Sequence, residues 1–175
     1  FYAVVVAGSV GAISEFATDM QRAAGASERI VELLNTAPQI AAPPRPRALP
    51  EPPRGALALR GVTFRYPSRP ERPALEYFTL TVAPGETVAL VGPSGAGKST
   101  VFQLILRFFD PSEGAVELDG VDLRQADPRH VRKHIGVVAQ EPVMFSASAA
   151  DNIRYGRPEA SDAEVRTAAE AAGAA

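Results

Sequence analysis

The sequence contains no cysteine and no tryptophan, and only two methionines and two histidines. Without cysteine there can be no disulfide, no thiol nucleophile and no thiolate metal site. The formal net charge is −2, so no overall field draws the chain to nucleic acid or to anionic lipid. A nucleic-acid partner is not expected. Lysine is scarce beside arginine, which we read as composition bias. No basic leader precedes the first apolar run, so a signal peptide is not expected either. Both ends have the look of cuts: the chain opens on Phe1 inside an apolar run and closes on "AEAAGAA". What is present is 46% hydrophobic residues over 175 positions, enough to build about one domain with a core.

The longest apolar run is "FYAVVVAGSVGAI". A full membrane crossing needs about 20 apolar residues, so this run does not span alone. The helical pattern continues beyond it, with Ile13, Phe16, Met20, Ala24, Ile30 and Leu34 near one face. Glu15, Asp19, Arg22, Glu28 and Glu32 fall elsewhere on the same helix. Taken alone, this segment reads equally well as the tail of a spanning helix entering water or as an ordinary amphipathic helix. Residues 38–55, "PQIAAPPRPRALPEPPRG", are rich in proline, which fixes φ and removes the backbone donor. Neither helix nor sheet is expected there, and the segment reads as a semi-rigid tether between residues 1–37 and 56–175.

From residue 56 the pattern is that of an α/β unit. "LALRGVTFRY" alternates as a strand with a slip at Gly61, and "EYFTLTVAPGE" reads as a second strand ending at Pro84-Gly85. "TVALV" and "IGVVAQ" are continuous apolar runs, the form of strands covered on both faces. "EGAVELDGVDL" reads as a hairpin turning at Asp119-Gly120. "DPRHVRKH" is a short helix with Asp127 as cap and Pro128 at its first position. "SDAEVRTAAEAAGAA" opens another helix with Ser161 as cap and Glu164 three residues on. His130 and His134 stand four apart, the spacing of two metal ligands on one helix face. With no third ligand near them in sequence, they read as part of a basic surface helix.

The most specific motif is Gly92-Pro93-Ser94-Gly95-Ala96-Gly97-Lys98-Ser99, followed by Thr100. It fits the phosphate-binding loop pattern at every fixed position, with an apolar run before it and a helical stripe of Val101, Leu104, Ile105 and Phe108 after it. Gly95 and Gly97 let the chain curl and turn amides toward phosphate oxygens. The helix beginning near Lys98 adds unpaired N–H groups and the positive end of its dipole. Lys98 supplies a compact cation for the β- and γ-phosphates, the Ser99 hydroxyl can ligate Mg²⁺, and Thr100 is placed for the α-phosphate region. The expected ligands are therefore ATP and Mg²⁺, although such loops serve kinases, GTPases and motor ATPases alike.

Around this loop, "GVTFRYPSRPERPAL", "LTVAPGETVALVGPSGAGKST", "RFFDPSEGAVELDGVDL", "IGVVAQEPVMFSAS" and "DNIRYG" occur in one order. Segment 55–156 thereby resembles the nucleotide-binding domain of ATP-binding cassette transporters, most closely exporters that fuse membrane and nucleotide domains. The proline-rich tether and the preceding "GASERIVELLNTAP" resemble the end of the last transmembrane helix and its cytoplasmic extension. The resemblance implies a P-loop NTPase fold with an antiparallel β subdomain, preceded by a long helix of membrane origin. It implies that Tyr66 stacks on adenine and that Gln140 meets Mg²⁺ or the attacking water. It further implies that Glu141 to Phe145 receive the coupling helices of a membrane domain, although Ala147 and Ala149 depart from the family's pattern there. A second nucleotide-binding domain would complete the site, and the parent would sit in the cell's inner (plasma) membrane, with the nucleotide-binding part cytoplasmic.

An ATPase of this kind also needs a buried strand ending in a metal-binding Asp, then a Glu that polarises water. "AVELDG" is interrupted by Glu117, and "GVVAQE" ends in Gln140-Glu141; neither qualifies. In the family these residues and the signature motif lie downstream of "DNIRYG". The chain is therefore expected to be truncated and to bind Mg-ATP without hydrolysing it. The alternative is a soluble P-loop kinase or another P-loop NTPase outside transport.

Overall fold

The computed structural model describes residues 2–174, with the side chains of residues 4–10, 12, 14 and 17 outside the description. Most side chains of the first apolar run therefore lie outside the described residues. The chain divides into two compact units, one ending at His134 and one beginning at Ile135.

The first unit opens with helix α1 (Tyr2–Asn35), the long helix expected from the sequence. Its stripe of Ile13, Phe16, Met20, Ile30 and Leu34 is exposed. Among the described residues no helix is long and apolar enough to cross a membrane. After the proline-rich segment come strands β1 (Leu57–Phe64) and β2 (Leu75–Val82), helix α2 (Lys98–Ile105), and strands β3 (Glu113–Leu118) and β4 (Val121–Asp122). A 3₁₀ turn (Leu123–Gln125) leads into helix α3 (Pro128–Lys133).

The four strands form one antiparallel sheet in the order β2-β1-β3-β4. The register of β1 slips against β2 between Leu59 and Val62, spanning Gly61, where the sequence pattern slips. Asp119 and Gly120 both take positive φ, 50° and 76°, the conformation a two-residue hairpin demands. Leu59 and Val62 of β1, Val116 of β3, Val101 and Leu104 of α2 and Val131 of α3 are fully buried. Each such side chain contributes about 1.5–3 kcal/mol by leaving water. Asp127 accepts a bond from the Arg129 amide and Pro128 occupies the first turn of α3, as the sequence predicts.

The proline-rich segment forms neither helix nor strand, and it is laid down on the unit. Leu49 is buried. The Arg47 amide donates to Gln125 O at 2.7 Å. The buried Arg107 guanidinium donates to Ala41 O (3.3 Å) and Ala126 O (2.7 Å) while pairing with Asp110 at 3.0 Å. The Asp119 carboxylate accepts from the amides of Arg54 (2.9 Å), Gly55 (3.3 Å) and Ala56 (2.8 Å). Partial burial raises its pKa, but these three amides together outweigh burial and hold it below the ordinary carboxylate value.

Two expected strands do not form. Residues 87–91 and 135–139 carry no regular structure, with Val91 89% and Val138 fully exposed. Such runs become strands only when neighbours take both edges and layers cover both faces. Among the described residues neither run has a paired strand. The helical stripe after the loop is also shorter than expected. α2 ends at Ile105, and Phe108 lies beyond it, half-exposed beneath the Arg132 guanidinium at 5.0 Å.

The second unit holds helices α4 (Ala149–Arg154) and α5 (Asp162–Ala171). Ser161 and Glu164 form the expected reciprocal capping box. Arg154 pairs with Asp151 and Asp162, and Arg157 pairs with Glu164.

Candidate phosphate-binding site

Residues 92–97 leave the unpaired run as a loop and enter α2 at Gly97, which takes φ 86° and provides no side-chain cap. The first N–H groups of a helix have no intrahelical acceptor, so this terminus offers donors and a positive dipole end. A Cβ on Gly97 would stand 2.6 Å from Ala74 O and 2.8 Å from a Leu75 methyl carbon. The loop thus lies so close to the start of β2 that only glycine fits. This is a stronger demand than the curl inferred from sequence.

A cavity of about 520 Å³ opens against the loop, lined by Ser94, Gly95, Gly97, Lys98, Ser99 and Thr100 on one side. Tyr66, Arg69, Arg72, Pro73 and Ala74, between β1 and β2, supply the rest. Its volume suits a nucleotide-sized ligand. Three cations line it and no carboxylate does, which favours a polyanion. The Lys98 ammonium donates to Gly92 O and Pro93 O, both at 2.7 Å. An ammonium has three donors, so two bonds hold it over the loop and a third remains to be made.

Tyr66 is half-buried, and its ring packs edge-on against Phe64 (4.9 Å) and Phe109 (5.5 Å). Its hydroxyl stands 2.9 Å from Thr100 Oγ1 and donates to Gln103 Oε1 at 2.7 Å. The ring is therefore tied to the helix that follows the loop. Thr100 is buried, and its hydroxyl serves this bond. Gly92, Pro93 and Ala96 belong to the loop; Ala96 N closes a turn onto Pro93 O at 3.2 Å.

The structure brings Tyr66 and the loop residues together around one cavity. Gln140 belongs to the second unit, where it is exposed at a bend. Beyond it Val143 and Met144 are exposed, while Phe145 packs on Tyr155 at 4.6 Å. Asn152 fastens this segment through Phe145 N, Phe145 O, Ala147 O and Ser148 O. Sequence reasoning missed Arg69, Arg72 and Gln103. The signal for the arginines was their three-residue spacing after Tyr66 in "YPSRPER", which two turns convert into a shared wall: Arg69 N bonds Tyr66 O, and Arg72 N bonds Arg69 O.

A family model described as ABC transporter matches residues 75–175. The chain is 44% identical to the mouse (Mus musculus) ATP-binding cassette sub-family B member 10, mitochondrial, over 99% of this chain and 25% of that protein. It is 54% identical to the mitochondrial potassium channel ATP-binding subunit of Xenopus tropicalis over 66% of this chain and 17% of that one. Among solved structures, a bacterial Atm1-family ABC exporter with ATP bound superposes with a TM-score of 0.77 at 38% identity. That match covers 84% of this chain and 25% of the exporter. The chain thus spans about a quarter or less of the length of these relatives.

Proposed function

Since the chain belongs to the ABC transporter family, we propose that it binds Mg-ATP in the cavity between the 92–99 loop and Tyr66, as the nucleotide-gripping part of an exporter. The observation that carries this reading is a nucleotide-sized cavity walled by Lys98, Arg69, Arg72, a helix terminus and an aromatic ring, with no carboxylate. A phosphate oxygen takes the third Lys98 donor, and the amides at the start of α2 complete the grip. Tyr66 offers its face to the base.

The exposed Ser99 hydroxyl at the loop also suits Mg²⁺, a hard cation that takes oxygen ligands, and would hold it; the Gln140 side chain offers an oxygen of the same kind on the second unit. Bound there, the ion supplies charge neutralisation for the phosphates.

The parent protein couples ATP hydrolysis to export across a membrane, acting with a second nucleotide-binding domain. Exposed Val143 and Met144 support the 141–145 segment as the surface that receives coupling helices. The exposed apolar stripe of α1 supports attachment to the membrane domain of an inner (plasma) membrane protein. The lining holds no carboxylate among the described residues, which supports the reading that this chain by itself binds nucleotide without turnover. The family match does not favour the alternative of a soluble P-loop kinase.

Calorimetric titration of Mg-ATP into the chain tests the proposal. Binding heat is expected, weakened at least about tenfold by Lys98→Ala, with no phosphate release above background. Equal affinity of wild type and variant, or turnover abolished by Lys98→Ala, contradicts it.

A further inference from the structure

Folding brings a third ligand to the two histidines that the sequence left as a pair. His130 and His134 stack with ring centroids 5.8 Å apart along α3 and its C-terminal cap. Glu51, from the proline-rich segment, meets them there. One ligand atom from each of the three side chains lies within 4.8 Å of the other two. None of the three lines the nucleotide cavity.

The local fold explains the meeting. The Asp127 cap and Pro128 start α3, and four residues of helix put both imidazoles on one face. Glu51 is bracketed by fixed points: Arg47 N on Gln125 O, the buried Leu49, and Arg54 N on Asp119. The backbone that carries Glu51 is thus held beside the ring pair by structure that serves other contacts. Arg132, on the same helix, is drawn away to Leu106 O (2.9 Å) and Arg107 O (2.8 Å). A second, independent observation points to a ligand. His134 Nε2 is buried with no hydrogen-bond partner. A buried nitrogen in that state costs free energy, which a cation bound at that nitrogen would relieve.

We propose that Glu51, His130 and His134 form a binding site for a divalent first-row transition metal, best suited to Zn²⁺, which clamps the proline-rich segment to α3. Two imidazoles and one carboxylate are a known zinc donor set that leaves a fourth position open to water. They are poorly matched to Mg²⁺ or Ca²⁺, which take oxygen ligands. Ligands about 2.1 Å from a tetrahedral ion stand roughly 3.4 Å apart, so the site closes by at most about 1.4 Å on binding. Exposed Glu51 and His130 are free to make that movement.

The test uses the untagged chain without nucleotide, titrated with Co²⁺ and then displaced with Zn²⁺. A visible Co²⁺ absorption band is expected, lost on adding Zn²⁺ and unaffected by Mg²⁺. Glu51→Gln and His130→Ala, both at exposed positions, should each weaken Zn²⁺ about tenfold or more, while Ser99→Ala leaves it unchanged. Zn²⁺ should also slow proteolysis within residues 38–55 of the wild type and not of Glu51→Gln. The proposal is overturned by absence of the band in chain shown folded by circular dichroism. Loss of binding in Ser99→Ala overturns it too. So does affinity indifferent to Glu51→Gln, which would leave a histidine pair alone.

Discussion

The hydroxyl of Tyr66 stands 2.9 Å from Thr100 Oγ1, joining the aromatic wall of the cavity to the first turn of the helix that carries Lys98 and Ser99. The proposed base platform and the proposed phosphate loop are therefore one mechanical piece. The two roles of Tyr66 separate by substitution. Tyr66→Phe keeps the ring and loses the bonds to Thr100 and Gln103. It is expected to cost roughly 1–2 kcal/mol of stability with nucleotide affinity changed only a few-fold. Tyr66→Ala removes the platform and should weaken Mg-ATP roughly ten- to a hundred-fold. Denaturant unfolding and calorimetry, run on both variants, check the split.

Two glycines of the same loop should respond differently to a methyl group. Gly95 and Gly97 both take positive φ, at 79° and 86°, but only Gly97 faces Ala74 O and Leu75 across a gap too small for Cβ. Gly95→Ala should cost about 1–2 kcal/mol for backbone strain alone. Gly97→Ala adds a collision with backbone and should cost more, with α2 displaced and nucleotide binding lost. The order of their urea midpoints decides the matter.

Asp119 predicts an acid-sensitive strap. Its folded pKa lies below the unfolded value, so its ionised form stabilises the fold. That contribution is fully present above the unfolded value near 3.8 and is lost as pH falls through the lower folded value. Asp119→Asn keeps the positive φ of the turn and removes the charge. The gap in melting temperature between wild type and Asp119→Asn should be constant from neutral pH to about pH 5 and close progressively below it. A gap independent of pH would refute this account.

Glu164 should titrate far below an ordinary glutamate. The Ser161 amide and hydroxyl, then the Arg157 guanidinium, bring its pKa down to about 2. Ser161→Ala removes the hydroxyl and should move the pKa up toward 4.5, with α5 fraying at its first turn. Side-chain carboxyl chemical shifts followed against pH report both effects.

How far the sequence reveals this molecule depends on how local the physics is. The glycine turn into α2, the Asp119-Gly120 hairpin, the Asp127-Pro128 start of α3 and the Ser161–Glu164 box are each settled within a few residues. They were legible for that reason. "TVALV" and "IGVVAQ" satisfy every local condition for a strand, yet a strand is a relation to neighbours that no window of sequence contains. The proline-rich segment was readable as unable to form helix or sheet. Its seating was not, because Arg107 and Asp119 reach it across 63 to 66 positions of chain. Glu51 escaped notice on the same ground: nothing local marks a carboxylate as the neighbour of histidines some eighty positions on.

That seating also changes what the proline-rich stretch does as a mechanical part. Ala41 hangs on Arg107, Arg47 on Gln125, and Arg54 through Ala56 on Asp119. At these three stations the stretch is laced to the folded unit. Whatever displaces the end of α1 therefore meets anchors on the hairpin of the sheet and on the turn before α3 within some twenty residues, as a rope meets its cleats.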